Sequence, residues 1–222
     1  MNIIKKISLI KKLLISFSFL VLSSIVISII SLNELSKINK LSENMGTNLL
    51  PSISSGIRVS YHFSRFRNRE LQHILSTTEE EMRSWEKAME EDKVKINDNL
   101  KKYEMLIDNQ KEKELNQEFK ILYNTYFNLH DKMIQFSSSN KNSEARAILS
   151  GEMRTTFNKI NDIFREVEKL NREFGDNAVT LAKSSYEYSK STLLTIGIVI
   201  LIGSSLLILL IIYSIKSQLN LN

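Results

Sequence analysis

The sequence contains no cysteine, one proline and six glycines among 222 residues. Without cysteine there is no disulfide framework and no thiolate metal site. With so few helix breakers, long helices are the expected structure. Neither end of the chain carries an acidic residue; every Asp and Glu lies between positions 31 and 190. A Gly-rich phosphate loop, a His-Glu-x-x-His zinc motif and a nucleophile elbow are also missing. Each of those would give a reactive group its partner, so neither an enzyme nor a bound cofactor is expected.

What the chain does have is apolar length with basic flanks. Residues 193–215 carry no charge and are dominated by Leu, Ile and Val. At ~1.5 Å rise per residue, a helix of that length covers the ~30 Å hydrocarbon core of a bilayer. Residues 13–33 form a second uncharged run near the other end. Five basic residues lie outside positions 31–190: Lys5, Lys6, Lys11, Lys12 and Lys216. They account for the formal net charge of +5, so the charge is a membrane-flank effect and nucleic acid is not an expected partner.

Four lysines ahead of the first run place the N-terminus in the cytoplasm by the positive-inside rule. Two spans return the C-terminus to the same side, and the middle faces outward. The expected division is a basic N-terminus over 1–12, a first span over 13–33 and an extracytoplasmic domain over 34–190. A second span over 193–215 and a short cytoplasmic stretch over 216–222 follow. A signal peptide also starts basic and turns apolar, but the run has no Ala-x-Ala-like site and exceeds a usual signal core. An uncleaved anchor is therefore expected. Tyr186, Tyr188 and Tyr213 flank the second run as an interfacial aromatic belt.

Between the runs the pattern reads as four helices. Leu32, Leu35, Ile38 and Leu41 carry the first helix out of the membrane, with a kink expected near 48–51 at Pro51. Helical pattern resumes at Ile53 and runs to about Leu75. Thr77 with Glu80, or Thr78 with Glu81, would form a capping box that starts the second helix. Met82, Trp85, Met89, Ile96, Tyr103 and Leu106 form its stripe, with Asp92 and Asn99 interrupting the line. The third helix has the cleanest seam: Leu115, Phe119, Leu122, Tyr126, Leu129, Met133 and Phe136 alternate steps of four and three. A fourth helix is expected from Asn142 or Ser143, with Ile160, Ile163, Val167, Leu170, Phe174 and Leu181 as its stripe. Nothing breaks it before the second span. The fold class expected is all-α: an antiparallel up-down-up-down four-helix bundle flanked by two transmembrane helices.

The candidate binding residues are Arg58, His62, Arg65 and Arg69, lined on one helix face by steps of four, three and four. Guanidinium grips carboxylate or phosphate in a bidentate fork, so a small anionic ligand is the chemistry implied. Arg154 is a further candidate. The plainer reading pairs Arg58, Arg65 and Arg69 with acidic residues on a neighbouring helix or leaves them in solvent, and pairs Arg154 with a carboxylate of the first or second helix. His62 and His73 share a face but lie ~16 Å apart along the axis, too far for one metal ion to touch both, so no metal is expected.

Several short stretches carry a family resemblance. They are Ile29-Ile30-Ser31-Leu32-Asn33-Glu34-Leu35, Asn48-Leu49-Leu50-Pro51, Arg69-Glu70-Leu71 and Ser143-Glu144-Ala145-Arg146-Ala147-Ile148-Leu149, followed by Gly151-Glu152-Met153-Arg154 and Phe157. In order and spacing the chain resembles the HlyB-like four-helix-bundle sensory module of methyl-accepting chemotaxis proteins. The resemblance implies a homodimeric sensor in a bacterial inner or plasma membrane. Its cue would be a small ligand or a binding protein, and it would act on a cytoplasmic signalling domain or protein. Ser214-Ile215-Lys216-Ser217-Gln218-Leu219 resembles the start of a HAMP linker, with Gln218 where the family has Pro. Aspartate-type chemoreceptors are similar in placing Arg on the first bundle helix, but their spacing is not reproduced here. The same module fronts some histidine kinases and diguanylate cyclases. A membrane-tethered helical scaffold without a ligand is the alternative from another class.

Overall fold

The computed structural model describes residues 8–218. Lys5 and Lys6 of the basic flank, and Leu219 of the linker-like stretch, lie outside the described residues. The elements in order are α1 (Leu9–Asn44), a π-helical turn (Met45–Leu49), α2 (Leu50–Leu75), α3 (Glu79–Glu104), α4 (Gln110–Ser138), α5 (Asn142–Ser150) and α6 (Glu152–Gln218). No strand occurs among the described residues. The chain divides into two units, one of Glu43–Asn177 and one of Met1–Ser42 with Ala178–Asn222.

Glu43–Asn177 is the four-helix bundle. The π-helical turn sits where a kink is expected. Pro51 has no N–H for the usual carbonyl four residues back, and the widened turn absorbs the misfit. Thr78 caps α3: its Oγ1 accepts from the Glu81 N–H at 3.2 Å, and the Glu81 carboxylate accepts from the Thr77 N–H at 3.0 Å. Hydrogen bonding from the Thr77 and Thr78 backbone holds the Glu81 carboxyl below its ordinary range. Asn109 caps α4 in the same way, accepting from the Glu112 N–H at 2.9 Å.

Side-chain pairs give the topology directly. Asn48 reaches the Leu106 carbonyl, Arg69 the Ala88 carbonyl, and His73 lies against Glu86, so α2 and α3 run antiparallel. Tyr123 bonds Asn97 and Asn116 bonds Glu104, so α3 and α4 are antiparallel too. Tyr126 meets Glu70 and Ser137 meets His73, so α4 runs parallel to α2. Asn161 bonds Ser60 and Asn171 bonds Ser52, which sets this part of α6 antiparallel to α2. The order is up-down-up-down.

The α4 seam is buried as its spacing dictates. Phe119, Tyr126 and Met133, seven residues apart, are at most 1% exposed, and Leu122, Leu129 and Phe136 flank them half-buried. Phe63, Phe66, Ile160 and Phe164 complete the core from α2 and α6. Truncating any one such aromatic to Ala would cost about 3–5 kcal/mol.

Three details differ from the expectation. The fourth helix is split at Gly151 into α5 and α6. A Cβ on Gly151 would meet the Ala147 backbone oxygen at 2.8 Å, so the corner needs a residue without one. Asp92 and Asn99 do not interrupt the α3 stripe; both are buried and continue it. Phe174 and Leu181, assigned to the fourth apolar stripe, are exposed.

In the other unit, two helical segments are long and apolar enough to cross a membrane. Most of their large apolar residues are exposed, including Leu14, Ile29, Leu201 and Leu209, and the rest are half-buried. Gly203 lies against the Phe19 ring. Lys12 Nζ donates to Ser214 Oγ at 2.6 Å, bringing the start of the first apolar run beside the end of the second.

Candidate functional site

The arginine face of α2 turns toward the chain's own Asp92. This carboxylate is fully buried on α3 and collects three basic groups. His62 Nδ1 lies 3.2 Å from Oδ1, Arg69 Nε 3.1 Å from Oδ2, and Arg65 Nε 3.7 Å from Oδ2. Oδ2 accepts no well-aligned hydrogen bond, so its part of the cluster is held by charge. Arg69 also donates to the Ala88 carbonyl, which fixes its guanidinium against α3. Arg65 is 40% exposed and packs over the Tyr61 ring, so it is the outer member.

The candidate residues therefore do not form one site. Asp92 brings together His62, Arg65 and Arg69. Arg58 is exposed and belongs to no ion pair among the described residues. Arg154 lies elsewhere, in a groove described below.

Sequence reasoning gave no role to Glu70, yet it is as completely enclosed as Asp92. It is fully buried on α2 and faces α4. Tyr126 Oη donates to Oε2 at 2.5 Å, and His130 Nδ1 lies 2.6 Å from Oε1. Phe66 and Phe127 wall the His130 ring. Burial pushes the Glu70 carboxyl above its ordinary range, and His130, Tyr126 and Arg67 oppose part of that shift. The Tyr126 phenol is pushed up by burial and by Glu70. A third enclosed carboxyl, Glu112, is also raised by burial, although Asn171 donates to it at 2.5 Å. Its neighbour Tyr103 is raised by burial and by Glu112 itself.

All three histidines thus sit on carboxylates: His62 on Asp92, His73 on Glu86 and His130 on Glu70. Each pair ties α2 to α3 or α4. Among the described residues no group of three or more His, Asp and Glu is placed to hold a metal ion.

The groove that holds Arg154 has a volume of about 750 Å³. It is formed by α2, α5 and α6 near the end of the bundle that carries the turns at 76–78 and 139–141. Arg67, Arg146 and Arg154 contribute one guanidinium from each helix, and Leu71, Leu75 and Leu149 an apolar wall. The α5–α6 corner at Gly151 sets Arg146 and Arg154 on separate helices. Arg67 Nη2 donates to the Leu149 carbonyl at 2.8 Å, and its guanidinium carbon stands 5.0 Å from the Phe157 ring centre.

The fold agrees with what the chain is similar to. A sequence profile described as a four helix bundle sensory module for signal transduction matches residues 6–186. A relative in Bacillus subtilis (strain 168), named "Putative sensory transducer protein YvaQ", is 22% identical over 176 residues. The match covers 79% of this chain and 31% of the relative, so the chain spans about a third of that protein's length.

Proposed function

Because the chain belongs to the family of four-helix-bundle sensory modules for signal transduction, we propose that it is the membrane-anchored sensor part of a bacterial receptor. In this reading residues 13–33 and 193–215 cross the inner or plasma membrane, and residues 34–190 lie outside it. The ends, 1–12 and 216–222, are cytoplasmic. A small anion or a binding protein alters packing in the bundle. The change passes through α6 as a displacement of ~1–2 Å to a cytoplasmic signalling partner. A second copy of the chain is the expected dimer partner, and methyl-accepting chemotaxis receptors are the output class favoured by the resemblance.

The observation that carries the reading is α6 itself. It is one helix from Glu152 to Gln218, containing both core residues of the bundle and the second apolar run. A continuous helix transmits axial motion, whereas a loop absorbs it. Hydrogen exchange on the full chain in lipid nanodiscs tests this link. Amides over 184–192 are expected to exchange far more slowly than unstructured peptide. Exchange there at the unstructured rate would remove the rigid connection and the mechanism with it.

A further inference from the structure

We propose that the groove between α2, α5 and α6 is a binding site for a small organic anion with an apolar body, such as a medium-chain carboxylate. This deepens the sensor reading and rests on it for its role, though the binding itself does not depend on it.

Three observations support the site. First, three guanidiniums from three helices line the groove, and no carboxylate does. Among the described residues none of Arg67, Arg146 and Arg154 takes part in an ion pair with an acidic side chain, whereas Arg65 and Arg69 both face Asp92. Second, Arg67 is fixed in place by the Leu149 carbonyl and the Phe157 ring, and its Nη1 is buried without an acceptor. Its charge acts partly on Glu70 and Tyr126 on the core side, which leaves Arg146 and Arg154 as the free forks. Third, Leu71 and Leu75 are 41% and 49% exposed along the same wall, apolar surface that an alkyl chain would cover.

The volume of about 750 Å³ lies within the usual ~300–1,000 Å³ of small-molecule sites. A second groove of about 430 Å³ lies between α2 and α6 beside Gly56. It contains Arg165 and Glu168, charges of both signs, so its field does not select an anion. In the larger groove the carboxylate would take a bidentate contact from Arg146 or Arg154, and the tail would lie on Leu71 and Leu75.

Equilibrium dialysis of the full chain in nanodiscs against labelled hexanoate, with empty nanodiscs subtracted, tests the site. Saturable uptake at millimolar or lower concentration is expected, competed by hexanesulfonate and not by the neutral isostere hexanamide. The double variant Arg146→Ala/Arg154→Ala should bind at least tenfold more weakly. Both residues are exposed, so the unfolding temperature should not change. Arg58→Ala should bind like the parent, which separates a built site from general positive charge. No saturable uptake, equal competition by hexanamide, an unaffected double variant, or equal weakening by Arg58→Ala would each overturn the proposal. Those outcomes leave the sensor reading standing, because that reading fails on membrane topology and helix continuity.

Discussion

Asp92→Ala is expected to lower the stability of the bundle by about 3–5 kcal/mol, the range for removing one partner from a buried ion cluster. The carboxylate is wholly inaccessible, and His62 and Arg69 are each about 85% covered beside it. Deleting it leaves the Arg69 guanidinium without its counter-charge and His62 Nδ1 without its partner. Arg65, the more exposed member, can reach solvent and should contribute least. Trp85 is the only tryptophan and sits seven residues before Asp92 on α3, so its fluorescence reports this part of the bundle. Thermal unfolding followed at Trp85 should shift down by ~10 °C or more for Asp92→Ala. Arg65→Ala should shift it by a small fraction of that. Equal shifts in the two variants would mean that the cluster is solvated and holds nothing together.

Glu70→Ala is the second large expected loss, again about 3–5 kcal/mol, because Tyr126 Oη and His130 lose a shared buried partner. Glu70→Gln keeps the shape and separates charge from packing. Burial raises the folded-state pKa of Glu70 above the value of the unfolded chain. Between those two values the folded protein holds a proton that the unfolded chain has released. The stability tied to that proton is fully present below the ordinary carboxylate pKa and is lost as pH rises through the raised one. Glu70→Gln removes this dependence, so its stability relative to the parent should improve as pH rises across that window. Glu112 is raised too and should leave a residual slope of the same sign in the variant. Denaturant unfolding at a series of pH values measures the difference. Parallel curves for parent and Glu70→Gln would show that Glu70 does not titrate differently on folding.

Much of the fold is legible in the sequence for concrete reasons. The α4 seam alternates four and three without a break, and only a buried helical face satisfies that pattern. Thr78 and Asn109 are capping residues with Glu three positions on, and both helices start there. The Gly151 corner was hidden because one glycine inside a helical pattern is ordinarily tolerated. Its signal is steric, a carbonyl too close for any Cβ, and that needs coordinates. Asp92 was hidden for a different reason. A charged residue on an apolar stripe reads as an interruption until its partners are known. The clue was available: across the short turn at 76–78, antiparallel partners lie at mirrored distances, and that puts Asp92 opposite the arginine face. Glu70, Tyr126 and His130 gave less away, since residues on different helices signal nothing until the bundle's order brings them together. Arg67 and Arg146 carry no signal in the sequence, because their groove exists only once the fourth helix is bent at Gly151.

The most direct measurement is surface accessibility in intact cells. The chain has no cysteine of its own, so single cysteines placed at Ser138 and Ser8 report cleanly. Ser138→Cys, exposed at the end of α4, should react at once with a membrane-impermeant maleimide. Ser8→Cys, ahead of the first apolar run, should react only after the membrane is opened. Labelling at Ser8→Cys with Ser138→Cys protected would invert the topology and contradict a bundle that senses the outside.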